Sequence, residues 1–164
     1  MSTEQTLIKQ LEKSNAFQAF KKQHPSAYLA HLFFVEGTGE QSPEAGYYLP
    51  EEDKIAIFST YPFRLKEPPQ SVFKKEGTVK PLDLRHVAVS LSSAKKTLKQ
   101  LLADKHPALT ATKTILILQH LDEPIWNATL VTTSLQFLNV KISAKSGRVI
   151  SDDIHNIMSL GTRK

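Results

Sequence analysis

The segment DKHPALTATKTILILQH, residues 104–120, decides how the chain reads. Its Lys-His-Pro ends a stretch with helical spacing, because a proline pushes the residue before it out of the helical region. The run TKTILILQHL (112–121) follows, and its continuous apolar centre predicts an interior β-strand. The same order occurs earlier in the chain. Residues 22–38, KQHPSAYLAHLFFVEGT, set His24-Pro25 after an amphipathic stretch, and the strand-like AYLAHLFFV (27–35) comes next. The pair of segments predicts one structural unit used twice.

Around the second segment the pattern is dense. HVAVSL (86–91) predicts a short strand. Ser90 or Ser92 caps a helix whose Ala94, Leu98, Leu101 and Leu102 share one face. IWNATLVTT (125–133) alternates, with Trp126, Ala128 and Leu130 on one side and Asn127, Thr129 and Val131 on the other. FLNVKISA (137–144) does the same, Leu138, Val140, Ile142 and Ala144 against Phe137, Asn139, Lys141 and Ser143. Such alternation suits an antiparallel sheet with one polar face. KSGR (145–148) makes a tight turn on Gly147. VIS (149–151) closes as a strand, and DDIHNIMSL (152–160) predicts a short amphipathic helix with Asp152 and Asp153 at its N-terminal end.

Around the first segment, Ser2 and Gln5 have capping-box spacing, and Leu7, Ile8 and Leu11 fall on one helical face. Ser14 and Asn15 break that helix and start another, which carries Phe17 and Phe20. EGTGEQSPEAG (36–46) reads as a loop. GYYL (46–49) pairs with KIAIFST (54–60) as a hairpin. Residues 61–86, with Pro62, Pro68, Pro69 and Pro81, read as a stiff, extended connector. The expected architecture is therefore α+β: two related units, each a helix packed on an antiparallel β-sheet, plus a short C-terminal helix. The units span 1–60 and 87–164, joined by 61–86.

Composition bounds the chemistry. The 164 residues hold no cysteine, which removes disulfides and thiolate sites. No run approaches the roughly 18 apolar residues of a membrane span, and MSTEQTLIKQ lacks the form of a secretory leader. The expected location is cytoplasmic. The net charge of +5 is uneven: residues 1–90 balance to zero and residues 91–164 carry the whole excess. A basic half suits nucleic acid or another acidic partner, but a soluble surface with scattered lysines is the favoured reading, because the basic residues are spread out with no arginine cluster.

The motif search yields no reaction. His24, His31, His86, His106, His120 and His155 show no metal-ligand spacing, and His24 and His106 suit helix C-termini. There is no nucleophile elbow. EGTGE (36–40) lacks a Walker lysine, and its carboxylates, with Glu44 beyond, would repel phosphate. EED (51–53) reads as a solvated hairpin tip. NAT (127–129) is a glycosylation sequon only in a secreted eukaryotic chain. Among the aromatic residues Trp126 reads as core. Tyr47 and Tyr48 are adjacent in a strand, so one of them is expected to face outward as a contact candidate.

The stretches SLSSAKKTL (90–98), EPIWNATL (123–130) and LNVKISAKSGRVIS (138–151) resemble the PepSY domain family: a capped helix opening, a strand opened by tryptophan, and a closing hairpin. The resemblance covers residues 87–151, with the first half a divergent second copy. It departs from the family at Ser143, where an Asp is usual, and at Ser146, where a Thr is usual. It implies a PepSY/cystatin-like fold, a helix on an antiparallel sheet, with no catalytic, cofactor or metal residues to carry over. Family members occur in inhibitory propeptides of secreted metallopeptidases and as stand-alone modules. The expected function is a non-enzymatic interaction or regulatory module for an unknown protein or peptide partner. The alternatives are a basic nucleic-acid-binding protein and a small-ligand binder or peptidase-inhibitor-like module.

Overall fold

The structure, a computed structural model, describes residues 2–39, 41–71 and 79–156. Helix α1 (Thr3–Lys13) opens on the expected capping box: Gln5 N–H donates to Ser2 Oγ at 3.1 Å, and Ser2 N–H donates to Gln5 Oε1 at 3.0 Å. Ser14 separates α1 from α2 (Asn15–Gln23). Its hydroxyl donates to Leu11 O and accepts from Phe17 N–H, so one side chain serves both helix ends. Helix α3 (Leu91–Lys105) is capped by Ser90, which accepts from Ser93 N–H.

The two His-Pro segments end their helices in the same way. His24 N–H donates to Phe20 O and His106 N–H to Leu102 O, each at 2.9 Å. Their backbone angles nearly coincide (φ −132°, ψ 67° and φ −133°, ψ 52°). A strand follows each: β1 (Tyr28–Gly37) and β5 (Ala111–His120). The remaining strands are β2 (Gln41–Leu49), β3 (Lys54–Ser59), β4 (Arg64–Ser71), β6 (Pro124–Thr132), β7 (Gln136–Ser143) and β8 (Val149–Asn156).

These strands overturn the expectation of two units, each a helix on its own sheet. They form one eight-stranded sheet in the order β4-β3-β2-β1-β5-β6-β7-β8. Every neighbouring pair is antiparallel. The seam is β1 against β5, paired from His31↔Gln119 to Gly37↔Lys113. The physical reason lies in residues 115–118. An apolar strand such as ILIL needs a neighbour on each edge. β6 supplies one and β1, the other post-His-Pro strand, supplies the second.

One core serves the three described α-helices. Phe17 and Phe20 pack on Tyr47 and Phe58 with ring centroids 5.0–6.1 Å apart. Ala94, Leu98 and Leu101 of α3 join the same buried cluster as Leu116, Leu118, Trp126 and Leu138. Phe34 of β1 meets Trp126 of β6 at 5.7 Å, across the intervening β5. Helix α1 is also tied to α3 directly. Glu4, only 2 % exposed, accepts from Leu91 N–H at 2.7 Å with Oε1, placing a carboxylate at the positive end of α3. Its Oε2 is buried without a hydrogen-bond partner among the described residues.

Several local expectations are corrected. The tail is not a helix through its described part: β8 runs to Asn156, paired with β7 from Ile142↔Val149 to Gln136↔Asn156, and residues 157–164 lie outside the described residues. Residues 86–91 are not a strand; Ala88 and Val89 N–H both donate to Ala144 O as the chain enters α3. The loop read at 36–46 turns sooner, and β2 begins at Gln41, with Pro43 at a register shift opposite β1. The stretch 61–86 holds β4 and a 3₁₀ turn, Leu84–His86. Pro68 and Pro69 stand in β4 at the sheet's edge, where a missing N–H is tolerated.

Candidate functional site: the uncovered face of the sheet

Strand register assigns every side chain to the helix-covered face or to the other one, because successive residues alternate. Two rows cross the uncovered face. One runs Arg64, Ser59, Glu44, Phe33, Ile117, Asn127, Lys141 and Ser151 from β4 to β8. The next runs Val35, Ile115, Thr129, Asn139 and Asp153. Phe33, Ile115, Ile117, Val131 and Phe137 are half-buried there and lie outside the main core. No helix among the described residues packs on this part of the sheet.

A polar ladder crosses β6 and β7 beside that apolar band. Asn139 Nδ2 donates to Asn127 Oδ1 at 2.8 Å and to Ala128 O at 3.1 Å. Lys141 Nζ donates to Asn139 Oδ1 at 2.9 Å. The chain of bonds holds Lys141 in place while leaving it half-exposed. Each amide residue fixes the next, so the ladder is stiffer than separate surface side chains. Cations dominate the face: Lys113, Lys141 and Arg64 stand on it, and Lys66 pairs with Glu44. Asp153 is the acidic counterpart near β8.

At one end the same face is covered. Tyr28, Ala30, Tyr48, Ile55 and Ile57 form a second small cluster, and Val79 packs on it. Tyr28 Oη donates to Val79 O. This strap corrects the expectation that Tyr47 or Tyr48 is an exposed contact. Both are buried, Tyr47 in the main core and Tyr48 under Val79, with its hydroxyl bonded to Asp53. Alternation placed the two tyrosines on opposite faces, as a strand requires; the strap hides the one on the uncovered side.

Tyr47 itself is chemically constrained. Its hydroxyl donates to Glu12 Oε2 at 3.0 Å. Burial first, then the Glu12 charge and that hydrogen bond, push its phenol far above the usual 10.0. The folded state therefore keeps this proton when the unfolded chain releases it. The contribution is complete below pH 10 and is lost as pH rises beyond it. Denaturant titrations above pH 10 are expected to show falling stability, with a shallower fall in Tyr47→Phe. An equal slope in both proteins refutes this assignment.

The histidines do not converge. His24 lies 3.7 Å from Glu52, and His106 lies 3.2 Å from Asp152, which Lys105 also approaches at 3.7 Å. His86 stands 4.0 Å from Asp83. His120 is opposite Pro124, and His155 is opposite Phe137. His31 presses its ring against Gly46, where an added Cβ would fall 2.1 Å from Cε1. Burial holds its pKa below the ordinary histidine value, partly offset by Glu44. Among the described residues no three His, Asp or Glu side chains form a metal-binding group. The EED carboxylates also separate: Glu51 bonds Ser26, Glu52 faces His24, and Asp53 bonds Tyr48. Glu36 pairs with Lys95 on α3, while Glu40 lies outside the described residues.

Two shallow grooves lie elsewhere on the described surface. One, about 500 Å³, lies between α1 and residues 82–85 and is floored by Ile8, Leu29 and Leu82. The other, about 480 Å³, lies between α2 and β4 beside His24 and Pro68. Polar side chains line both: Gln5, Lys9, Glu12, Asp83 and Arg85 the first, and Gln23, His24 and Glu52 the second. Sequence reasoning placed Asn127, Asn139 and Lys141 on one face of their strands. It missed the ladder, because that depends on the β6–β7 register; polar residues at alternating positions in both strands were its only visible signal.

No protein-family model matches the chain, and no curated protein matches it. A similar solved structure is that of a "putative lipoprotein" from Clostridium difficile 630, with a TM-score of 0.54 and 13% sequence identity. The likeness covers 88% of this chain and 97% of that one. At this identity it shows a shared fold and nothing about activity. None of the described helices is long and apolar enough to cross a membrane.

Proposed function

We propose that the chain is a non-enzymatic binding module that receives an extended peptide or protein segment on the uncovered face of its sheet. The observation that carries this reading is the pairing of a half-buried apolar band with a fixed polar ladder ending at Lys141. Apolar area supplies affinity, and placed hydrogen-bonding groups supply orientation. The cations on the face favour a partner segment that combines acidic and apolar side chains.

The PepSY resemblance of residues 87–151 is part of the same proposal, within one sheet rather than as one of two units. Its support is local. Ser143, at the position where the family has Asp, accepts from Lys145 N–H at 3.2 Å and Ser146 N–H at 3.1 Å, and donates to Glu123 at 2.5 Å. An aspartate could accept those same turn amides. Trp126 Nε1–H donates to Val89 O at 2.8 Å and pins the tryptophan strand to the chain entering α3.

The test is selection of displayed random peptides on the purified protein, followed by affinity measurement against Ile117→Lys and Lys141→Glu. Enriched peptides should be acidic and apolar, and both variants should weaken them at least about tenfold, as a loss of about 1.4 kcal/mol requires. Peptides that bind both variants undiminished would remove the reading. A gel shift that falls steeply with salt and disappears in a Lys113→Glu/Lys141→Glu variant would replace it with nucleic-acid binding.

A further inference from the structure

The helices carry a charge that they do not balance among themselves. α1, α2 and α3 hold eight lysines against three acidic residues, which accounts for the chain's whole formal net charge of +5. Read along the chain, that excess falls in residues 91–164. In the fold it falls on the helix layer, because Lys21 and Lys22 of α2 join the lysines of α3. The acidic residues of the layer are all hidden or engaged: Glu4 is buried, Glu12 accepts from Tyr47, and Asp104 accepts from Gln100. Three lysines are engaged as well. Lys21 donates to Ala27 O, Lys95 pairs with Glu36, and Lys105 approaches Asp152. Lys9, Lys13, Lys22, Lys96 and Lys99 are exposed and have no partner among the described residues.

Helical spacing turns these five outward. In α1 the buried residues are Glu4, Leu7, Ile8 and Leu11, and Lys9 and Lys13 stand one turn apart on the opposite side. In α3 Lys96 and Lys99 oppose Ala94, Leu98 and Leu101, and in α2 Lys22 opposes Phe17 and Phe20. The bond from Leu91 N–H to Glu4 joins the start of α3 to the start of α1, so the lysines of both belong to one surface. Like charges one turn apart weaken a helix, and an anion laid across each pair relieves that repulsion.

We infer that this helix layer docks on duplex nucleic acid through the phosphate backbone. The groups between the lysines suit phosphates: exposed Thr6, Asn15, Gln23 and Ser92 offer the neutral donors that accompany lysine in backbone contacts. Other anionic surfaces fit less well. None of the exposed large apolar side chains described lies on a helix, so nothing there enters the hydrocarbon of an anionic membrane, and stable anchoring takes more than charge. A protein interface draws its energy from aromatic and arginine anchors, and single strands need aromatic rings for stacking. Phe17 and Phe20, the aromatic residues of the helices, are buried, and the helices hold no arginine. Lysine meets phosphate as a point charge, so the docking is independent of base sequence. It uses the face opposite the proposed peptide site, and neither reading depends on the other.

Fluorescence anisotropy of a labelled random-sequence duplex DNA, titrated with the full chain, tests this. The logarithm of the association constant should fall against the logarithm of salt with a slope of about −4.5, as about five phosphate contacts require. Lys9→Gln/Lys13→Gln and Lys96→Gln/Lys99→Gln should each weaken binding at least about tenfold at low salt and flatten the slope by about 2. Lys54→Gln/Lys145→Gln removes the same charge from exposed positions outside the helices and should leave both quantities close to the wild type. Circular dichroism of all three variants should match the wild type, because the exchanged side chains are exposed. Absence of binding at low salt overturns the inference. So does binding that the Lys54/Lys145 exchange weakens as much as the helix exchanges do, which would mark net charge alone. Binding lost instead on exchanging Lys113 and Lys141 would place the duplex on the other face, and binding to phosphatidylserine vesicles but not to the duplex would place a membrane here; either result overturns the inference as well.

Discussion

Trp126→Ala is expected to destabilise the protein by about 3–5 kcal/mol. Trp126 is fully buried, packs against Phe34 from two strands away, and donates its indole N–H to Val89 O. Removing it opens a cavity in the core that α3 shares and takes the indole donor from the carbonyl of half-buried Val89. Typical domains are stable by about 5–15 kcal/mol, so the variant should be close to unfolding at ambient temperature. Trp126→Phe separates the two losses. It keeps most of the volume and should cost about 1–3 kcal/mol through the missing hydrogen bond. Urea denaturation followed by far-ultraviolet circular dichroism measures both, because Trp126 is the chain's single tryptophan and its fluorescence disappears with it. A loss below about 1 kcal/mol for Trp126→Ala would show that the site is not part of the cooperative core.

The second large effect is expected from a glycine. Gly37 has φ +82°, and an added Cβ would sit 2.4 Å from Thr112 O, a backbone atom. That carbonyl accepts from Thr38 N–H at 2.9 Å, so the close approach is built into the turn beside the β1–β5 seam. Gly37→Ala carries left-handed strain of about 1–2 kcal/mol and must also push two central strands apart, roughly another 1–3 kcal/mol for overpacking. Gly147 provides the control. Its φ is +81°, but an added Cβ there would find its nearest neighbour, Val89 Cγ2, at 3.7 Å. Gly147→Ala should show the strain alone. Equal losses in the two variants would mean that the seam yields without cost.

The contrast between these sites shows where the sequence was legible. Gly147 in KSGR was readable as a turn glycine, because turn chemistry is local. So were the caps at Ser2 and Ser14, a cap for α3 at Ser90 or Ser92, and the inward faces of β6 and β7. Gly37 read only as part of a loop, because its constraint comes from Thr112, far along the chain. The same distance concealed the seam. Nothing in AYLAHLFFV or TKTILILQHL states that one will lie beside the other rather than inside a separate sheet.

β8 failed for a different reason. Ile150, Ile154 and Ile157 have helical spacing, and Asp152 interrupts the alternation expected of a strand. In the structure Asp152 lies on the helix side, within reach of Lys105 and His106 at the end of α3. An edge strand can place a charge there because its inner face overhangs the core. Tyr48 failed because its cover, Val79, lies far along the chain from it. On the uncovered face, the alternation in the sequence indicated which side chains stand together but not that Asn127, Asn139 and Lys141 are bonded into one ladder.

The seam also bears on how the chain is made. β1 ends at Gly37, yet its partner β5 does not begin until Ala111. A ribosome must add all the intervening residues before that edge can be closed, at roughly 5–20 residues per second. For those seconds the strand carrying Leu32 and Phe34 has β2 on one side and an open ladder on the other. Contacts between such distant segments also slow folding, since the long loop must close before they form. The middle of the finished sheet is thus its most exposed line during synthesis, and the place where a nascent chain is most open to pairing with a neighbour.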